Sequence, residues 1–358
     1  MKPFEIAIPQ SDIDDLHRRL DQTRWPNEPN GASWAQGTPQ ERLKELVDAW
    51  RNFDWREQER RLNKIPQFVT EIDGAQVHFL HVRSANENAE ALLLTHGWPA
   101  TGFAFEEMIE PRARDFHLVI PSVPGFGFSG PTQELGWTIP RVTNVFAELM
   151  RRLGYDSYLA HGYDFGAKLT RELGMREEVK AIHVNQIFSA GVTQETADME
   201  VEAERRSVEK AFRYEYEQFG YVSMQSTRPQ SVAHQLTDSP VAQLEWIEWA
   251  FHTWSDPEIG VPLDALLTNV SIFWFTRTAG SSARYYQEGD ETWGELEPPS
   301  ATPTSVAVFP HDVGVPIRRM AERNHSIVRW TEMARGGHFA ALEVPELMTA
   351  ELREAFLL

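Results

Sequence analysis

Short apolar runs alternate with longer amphipathic stretches along most of the chain. The runs have the length of β-strands, whereas the stretches between them repeat apolar residues with the period of a helix. Because strands buried on both faces appear as continuous apolar runs, this alternation predicts a mostly parallel, doubly wound α/β sheet. The predicted strands cover residues 68–72, 77–82, 92–95, 117–121, 158–160, 181–184, 305–309 and 327–330.

The first part of the chain, residues 1–65, departs from this alternation. It carries two amphipathic helical patterns, at 11–22 and 38–50, and is rich in charged residues and tryptophan. We expect it to form an N-terminal extension packed on the outside of the core rather than an independent domain.

A second departure covers residues 191–300, where no convincing strand occurs. Helical patterns are found there at 193–219, 240–254 and 262–276. We expect a helical cap, inserted between two strands of an α/β core that is formed by residues 66–190 and 301–358.

A five-residue turn with Asp164 at its centre joins a predicted strand to a predicted helix. Gly162 and Gly166 flank the turn, which lies between the strand 158–160 and the helical pattern 167–173. This is the context of the nucleophile elbow in α/β-hydrolases. A carboxylate at that position attacks through oxygen and forms an ester, so its target should be a saturated carbon. On the turn alone, an aspartate that caps the following helix is the commoner explanation.

The composition excludes several kinds of binding partner and several kinds of chemistry. The chain of 358 residues has a formal net charge of -19, which argues against nucleic acid or an anionic membrane as partner. It contains no cysteine, so disulfides, thiol catalysis and zinc–thiolate sites are excluded. With neither a signal-peptide pattern nor an apolar stretch long enough to cross a membrane, the protein is expected to be cytoplasmic.

A His-Gly-Trp-Pro tetrapeptide at residues 96–99 follows the predicted strand 92–95. In the hydrolase fold, the loop after the third strand supplies one backbone N–H of the oxyanion hole, and the residue after the nucleophile supplies the other. The predicted donors are therefore the backbone N–H groups of Trp98 and Phe165. An ordinary strand-exit turn is the alternative.

A glycine-rich segment near the end of the chain, residues 335–343, contains His338. A histidine there is the predicted base that activates water, and Asp312, which follows a predicted strand, would hold it in one tautomer. The resulting chain order of nucleophile, acid and histidine is the order of this fold. The alternatives left open are Glu322 and Glu332 for the acid and His311 as a weaker candidate histidine.

Tyrosines occur in two segments of the predicted cap, at 219–221 and 284–288. A tyrosine hydroxyl can donate to an oxygen while a C–O bond breaks, which favours an epoxide over a halide as the leaving group. On spacing alone, a buried cap tyrosine is more often part of the core than part of a site.

At these residues the chain resembles the epoxide hydrolases of the α/β-hydrolase superfamily, specifically the microsomal-type branch with a long N-terminal meander. The similarity covers nearly the whole chain. Its motifs lie at residues 3–6, 23–26, 96–99, 121–129, 226–230, 238–240 and 336–342. The resemblance implies the α/β-hydrolase fold, with a mostly parallel eight-stranded-type sheet, helices on both faces and an inserted helical cap.

The resemblance also implies roles for individual residues. Asp164 would attack an epoxide to form a covalent alkyl ester, and His338, oriented by Asp312, would activate the water that releases a vicinal diol. Two cap tyrosines hold the epoxide oxygen in this family. The matching positions are Tyr221 and Tyr286, with Tyr285 as the alternative register.

Cofactors and partners follow from the same resemblance. It implies no metal and no organic cofactor, an epoxide and water as the small-molecule partners, and a homodimer as one oligomeric state. Whether the epoxide is a xenobiotic to be detoxified, a lipid or a biosynthetic intermediate stays open.

The elbow departs from the family pattern in its side chains. The family usually has Gly-Gly-Asp-Trp-Gly, whereas this chain has Tyr163 and Phe165 beside Asp164. Haloalkane dehalogenases, which also use an elbow aspartate, are the nearest rival, but they commonly hold halide with an indole N–H next to the nucleophile, which Phe165 lacks. A non-catalytic ligand-binding protein on the same fold is the third interpretation.

Overall fold

The computed structural model describes residues 1–187, 192–289 and 298–356. Its strands are β1 (Lys2–Pro3), β2 (Gln67–Ile72), β3 (Ala75–Val82), β4 (Glu90–Thr95), β5 (Phe116–Pro121), β6 (Tyr158–Gly162), β7 (Val179–Val184), β8 (Ser300–Val308) and β9 (His325–Glu332). Within the described residues they form one sheet in the order β1-β2-β3-β5-β4-β6-β7-β8-β9. Each predicted strand overlaps one of β2 to β9.

The larger part of the sheet is parallel, as predicted. β4 pairs in parallel with both β5 and β6, and β7, β8 and β9 continue in parallel from β6. The remaining edge, from β1 to the pairing of β3 with β5, is antiparallel. Thr95, the last residue of β4, pairs with Gly162, the last residue of β6. The two segments that follow these strands therefore leave the sheet side by side at its carboxyl edge, where α/β proteins build their sites.

The tight turn between β2 and β3 forms at Asp73-Gly74. Both residues have positive φ, 51° and 73°, which is the backbone of a type I′ turn and suits Asp-Gly. β1 was not predicted, because it consists of two residues, one of them proline, and has no pattern of its own.

Helices account for most of the remaining described residues. They are α1 (Gln10–Asp21), α2 (Gln40–Arg51), α3 (Trp55–Leu62), α4 (Glu106–Arg112), α5 (Ile139–Leu153), α6 (Phe165–Leu173), α7 (Glu202–Arg213), α8 (Gly220–Thr227), α9 (Pro229–Asp238), α10 (Pro240–Trp254), α11 (Leu263–Thr276), α12 (Ala279–Glu288), α13 (Arg318–Ala321), α14 (Ala340–Glu343) and α15 (Pro345–Phe356). Short 3₁₀ turns lie at Trp34–Gln36, Gly102–Phe105 and Gly127–Ser129, and a π-helical turn lies at Tyr214–Gln218.

The predicted helix over 193–219 is wrong in its first part, because α7 begins only at Glu202. Before it, polar side chains bond to nearby backbone and compete with helix formation. The Thr193 N–H donates to the Thr196 hydroxyl at 3.0 Å, and the Glu200 N–H donates to the Asp198 carboxylate at 3.0 Å. The last part of the predicted helix forms the π-helical turn Tyr214–Gln218 instead of an α-helix.

The N-terminal helices α1, α2 and α3 lie against α10 and α11, two helices of the segment predicted as the cap. Trp50 donates its indole N–H to the Ser271 hydroxyl at 2.8 Å, and Arg42 pairs with the buried carboxylate of Glu248 at 3.0 Å. One continuous cluster of buried apolar side chains runs from these helices through the sheet and into the cap. The division into 1–65, 66–190 with 301–358, and 191–300 stays a prediction, and its residues 188–191, 290–297 and 357–358 lie outside the described ranges.

Candidate active site

Asp164 occupies the strained turn between β6 and α6. Its φ of 54° and ψ of -131° are a conformation that side-chain-bearing residues rarely adopt and that is found at functional sites. The side chain makes no capping hydrogen bond to α6, so the helix-cap interpretation is wrong. Instead, one carboxylate oxygen accepts the backbone N–H of Trp98 at 2.8 Å.

Three glycines allow this turn to form because neighbouring backbone or the Asp164 side chain leaves no room for a Cβ atom. A Cβ on Gly97 would lie 2.3 Å from the Cβ of Asp164. A Cβ on Gly162 would lie 2.1 Å from the carbonyl oxygen of Gly166, and one on Gly166 would lie 2.1 Å from the carbonyl oxygen of Thr95. The glycines flanking the aspartate in the sequence thus reflect close backbone contact between the elbow and the end of β4.

Of the two predicted oxyanion donors, Trp98 contacts the Asp164 carboxylate and Phe165 follows Asp164 in the chain. Trp98 lies in the loop after β4, and its peptide bond to Pro99 is cis. Asn269 of α11 donates its side-chain amide to the carbonyl oxygen of Pro99 at 2.7 Å, so the cap holds this loop. Phe165 is the first residue of α6 and follows Asp164 directly. Their role as an oxyanion hole stays a prediction.

Asp164, His338 and Asp312 come together from three separate elements. His338 Nε2 lies 3.4 Å from a carboxylate oxygen of Asp164, and His338 Nδ1 lies 2.7 Å from Asp312 Oδ1. All three side chains are buried. The backbone N–H of His338 donates to the carbonyl oxygen of Trp254 at 2.9 Å, which ties the histidine loop to the end of α10.

The alternative residues occupy other places. Glu322 is exposed and pairs with Arg318 at 2.8 Å, and Glu332 is exposed at the end of β9. His311 is exposed and has its Nε2 3.8 Å from Asp256. Of the sequence candidates for the acid, Asp312 is therefore the one in hydrogen-bond contact with His338.

Gln186, which sequence reasoning missed, supports the acid. Its side-chain amide donates to Asp312 Oδ1 at 2.9 Å, and its nitrogen lies 3.4 Å from His338 Nδ1. The backbone N–H of Val313 donates to the same oxygen at 2.7 Å. The available sequence signal was a polar residue just beyond a buried strand, because Gln186 lies two residues after the end of β7.

Lys210, also missed, connects the cap to the acid loop. Its ammonium group donates to the carbonyl oxygens of Pro310 and Asp312, both at 2.7 Å. Burial lowers the pKa of Lys210 from 10.5 to about 8, against the opposing attraction of Asp312. An α7 residue far away in the sequence thus fixes the backbone that carries the acid.

The cap tyrosines lie over Trp98. The ring of Tyr221, in α8, stacks on Trp98 with centroids 5.2 Å apart and planes 10° apart. The ring of Tyr286, in α12, meets Trp98 edge-on at 5.5 Å and Tyr221 at 5.6 Å. Both Tyr285 and Tyr286 pack on Phe165, but Tyr285 turns to Phe126 whereas Tyr286 meets Trp98 and Tyr221, which favours Tyr286 in the predicted pair.

Burial sets the protonation of these groups. It raises the pKa of Tyr221 and of Tyr286 well above the ordinary value, so both hydroxyls keep their protons and can act as donors. Burial alone would lower the pKa of His338, but Asp312 and Asp164 outweigh it and raise the pKa from 6.5 to about 10. The resting site therefore holds an imidazolium between two carboxylates.

Two further carboxylates, those of Glu343 and Asp256, bond to backbone at the histidine loop. Glu343 accepts the backbone N–H groups of Asp256 at 2.7 Å and Phe339 at 2.9 Å, and burial raises its pKa from 4.5 to about 7. Asp256 in turn accepts the backbone N–H of Gly336 at 2.9 Å. These bonds hold the loop before and after His338.

The described residues include neither a metal-binding cluster nor a membrane-spanning helix. Within 1–187, 192–289 and 298–356, no group of three or more histidine, aspartate or glutamate side chains is arranged to hold a metal ion. No helix among these residues is both long and apolar enough to span a membrane.

Known proteins resemble the chain over nearly its full length. The family model described as the epoxide hydrolase N terminus matches residues 1–105, and the model of the alpha/beta hydrolase fold matches residues 90–243. A putative epoxide hydrolase of Stigmatella aurantiaca is 41% identical, over 99% of this chain and 84% of the relative. Epoxide hydrolase 1 of Sus scrofa is 30% identical, over 99% of this chain and 88% of the relative.

Solved structures of epoxide hydrolases also resemble the chain over nearly its full length. The Aspergillus niger epoxide hydrolase superposes with a TM-score of 0.90 at 30% identity, covering 99% of this chain and 95% of that one. The juvenile hormone epoxide hydrolase of the silkworm Bombyx mori superposes with a TM-score of 0.89 at 26% identity, covering 99% and 93%. The predicted α/β-hydrolase fold is confirmed.

Gly97→Ala should destabilise the folded protein by about 2 kcal/mol or more, because the new methyl group overlaps the Asp164 side chain. Urea unfolding followed by far-UV circular dichroism measures the change. Gly314→Ala is the matched control, since Gly314 has open space where a Cβ would lie. Equal stability of the two variants would contradict the close packing described for the elbow.

The pKa of His338 should fall in the Asp164→Asn variant, because one of the two charges that raise it is removed. The raised pKa also means that His338 stabilises the fold fully below pH 6.5, and that this contribution is lost as the pH rises toward about 10. NMR titration of the imidazole measures the pKa, and urea unfolding across that range measures the stability. An unchanged pKa in the variant would show that Asp164 does not act on the imidazole.

Proposed function

The chain belongs to the epoxide hydrolases with the α/β-hydrolase fold, and from that premise we propose that it converts an epoxide to a vicinal diol through an ester on Asp164. The observation that carries the proposal is the buried line of contacts from the Trp98 N–H through the Asp164 carboxylate to His338 and Asp312. The Asp164 carboxylate can act as the nucleophile, and the histidine beside it can act as the general base because Asp312 fixes its orientation.

The first step is attack by Asp164 on a ring carbon. A bond forms between a carboxylate oxygen and that carbon while the ring C–O bond breaks, and its electron pair moves to the ring oxygen. The hydroxyls of Tyr221 and Tyr286 donate to this oxygen, and one of them gives up its proton to the alkoxide. The raised pKa of both hydroxyls supports this role, since each is protonated before the reaction.

The second step is hydrolysis of the ester. Esterification removes the charge of Asp164, so the pKa of His338 falls and the imidazolium gives its proton through water to the tyrosinate. The neutral imidazole can then accept a proton from the attacking water. The hydroxide attacks the carbonyl carbon of the ester, and Asp312 stabilises the imidazolium that forms. The departing alkoxide takes the proton from His338, and the regenerated acid of Asp164 returns a proton to the imidazole, which restores the imidazolium between two carboxylates.

The backbone N–H groups of Trp98 and Phe165 stabilise the negative charge that develops on the ester oxygen during this hydrolysis. The contact from Trp98 to Asp164, at 2.8 Å, supports this assignment because the donor already faces the atom that becomes charged. The cap holds the Trp98 loop through Asn269, so the donor is fixed before the charge forms.

The scheme needs only a small-molecule epoxide and water, and no metal or organic cofactor takes part in it. The charge of -19 disfavours nucleic acid as a further partner. A homodimer and a cytoplasmic location stay predictions.

Haloalkane dehalogenation fits this site less well. The residue after the nucleophile is Phe165, whose side chain has no N–H to hold a halide. Two protonated tyrosines packed on Trp98, beside the nucleophile, suit an oxygen leaving group better. A non-catalytic receptor would have no need for a base, an acid and a nucleophile in mutual contact.

A single turnover in heavy-oxygen water should give a diol without the label, because the oxygen added to the substrate comes from Asp164. Enzyme in excess over styrene oxide sets the condition, and mass spectrometry of the diol and of the peptide containing Asp164 locates the label. With excess substrate, later turnovers should bring the label into the diol, which is the control. Label in the first diol would mean direct attack by water.

Diol formation should exceed halide release across a panel of aryl epoxides, alkyl epoxides and chloroalkanes. Asp164→Asn should lower diol formation by more than about a thousandfold, since it removes the nucleophile. Chromatography of the diols and a chloride assay give the two rates. Faster chloride release would favour the dehalogenase, and no turnover of any compound would favour a receptor.

A further inference from the structure

A third tyrosine, Tyr214, lies behind the predicted pair. Its hydroxyl is 2.6 Å from the hydroxyl of Tyr221, which is the distance of a short O–H···O hydrogen bond, and the residue is partly buried. Its ring packs edge-on against Phe219 at 5.7 Å, which fixes its direction. Burial raises the pKa of Tyr214 above the ordinary value, so this hydroxyl is also protonated.

The backbone that brings the two hydroxyls together is unusual. Positions seven residues apart in a regular α-helix are separated by about 10.5 Å along the axis. Between Tyr214 and Tyr221 the chain passes through the π-helical turn Tyr214–Gln218 and Phe219 before α8 begins at Gly220. Such turns are rare and occur frequently at functional sites.

The number of protons decides the direction of the hydrogen bond. A tyrosine hydroxyl has one proton to donate and can accept further bonds through its lone pairs. When Tyr221 gives its only proton to the epoxide oxygen, the short contact with Tyr214 can persist only if Tyr214 is the donor. The hydroxyls then form a chain from Tyr214 to Tyr221 to the epoxide oxygen.

We propose that Tyr214 is a positioning residue for ring opening: it donates to the oxygen of Tyr221 while Tyr221 donates to the epoxide oxygen. The inference rests on the proposed function, because it acts through Tyr221. A bond donated to Tyr221 polarises its hydroxyl and stabilises the negative charge that Tyr221 takes on as the alkoxide is protonated. The bonds formed and broken in the reaction stay the same, since Tyr214 donates a hydrogen bond and keeps its proton.

The test compares Tyr214→Phe with Tyr216→Phe. Tyr216 lies in the same π-helical turn with an exposed side chain, so its hydroxyl is removed without touching the site. Rapid-quench single turnovers with styrene oxide measure ester formation and ester hydrolysis separately. Tyr214→Phe should slow ester formation by about tenfold and leave hydrolysis unchanged, while Tyr216→Phe should change neither.

Tyr221→Phe distinguishes a role through Tyr221 from a structural one. In that background Tyr214→Phe should have no further effect, because the chain of hydroxyls is already broken. Equal slowing in both backgrounds would overturn the inference, as would a Tyr214→Phe variant that matches Tyr216→Phe. If ester formed on Asp164 but Tyr221→Phe did not slow it, the tyrosine step and this inference would both fail. If no ester formed in the parent protein, the proposed function itself would fail.

Discussion

The structure depends on the confinement of one carboxylate, that of Asp164, in a buried and strained turn. A charged group away from water is stable only if hydrogen bonds and an opposite charge replace its hydration. Here the Trp98 N–H and the imidazole of His338 meet the two carboxylate oxygens. The close approach of the glycines and the positive φ of Asp164 are the backbone conditions for this arrangement.

The cap is part of the site's framework as well as a cover over it. It forms hydrogen bonds with the backbone of the three loops that carry Asp312, Trp98 and His338. Lys210 holds the acid loop, Asn269 holds the loop of Trp98, and the Trp254 carbonyl accepts the N–H of His338. The N-terminal helices contact α11 and α10, the cap helices of Asn269 and Trp254, through Trp50 and Arg42. Packing far from the nucleophile therefore helps to fix the positions of the reacting groups.

Much of this could be predicted from the sequence because the signals are local. Buried parallel strands appear as apolar runs, and the elbow, the histidine loop and the strand-end acid each have a short pattern of their own. The helix α3 was missed because its residues are mostly arginine, glutamate and glutamine, although its Gln58 and Glu59 are buried. Gln186, Lys210 and Tyr214 were missed for a different reason. Gln186 and Lys210 act through contacts with residues far away in the sequence, and Tyr214 contacts Tyr221 across a π-helical turn that has no pattern of its own in the sequence.

The central claim is that Asp164 becomes covalently attached to the substrate. The most direct measurement is mass spectrometry of His338→Gln after incubation with styrene oxide, since this variant keeps the nucleophile and lacks the base for hydrolysis. The account predicts that the peptide containing Asp164 gains the mass of one epoxide, and that the same peptide from an additional Asp164→Asn change gains none. An unmodified peptide, or a modification on another residue, would contradict it.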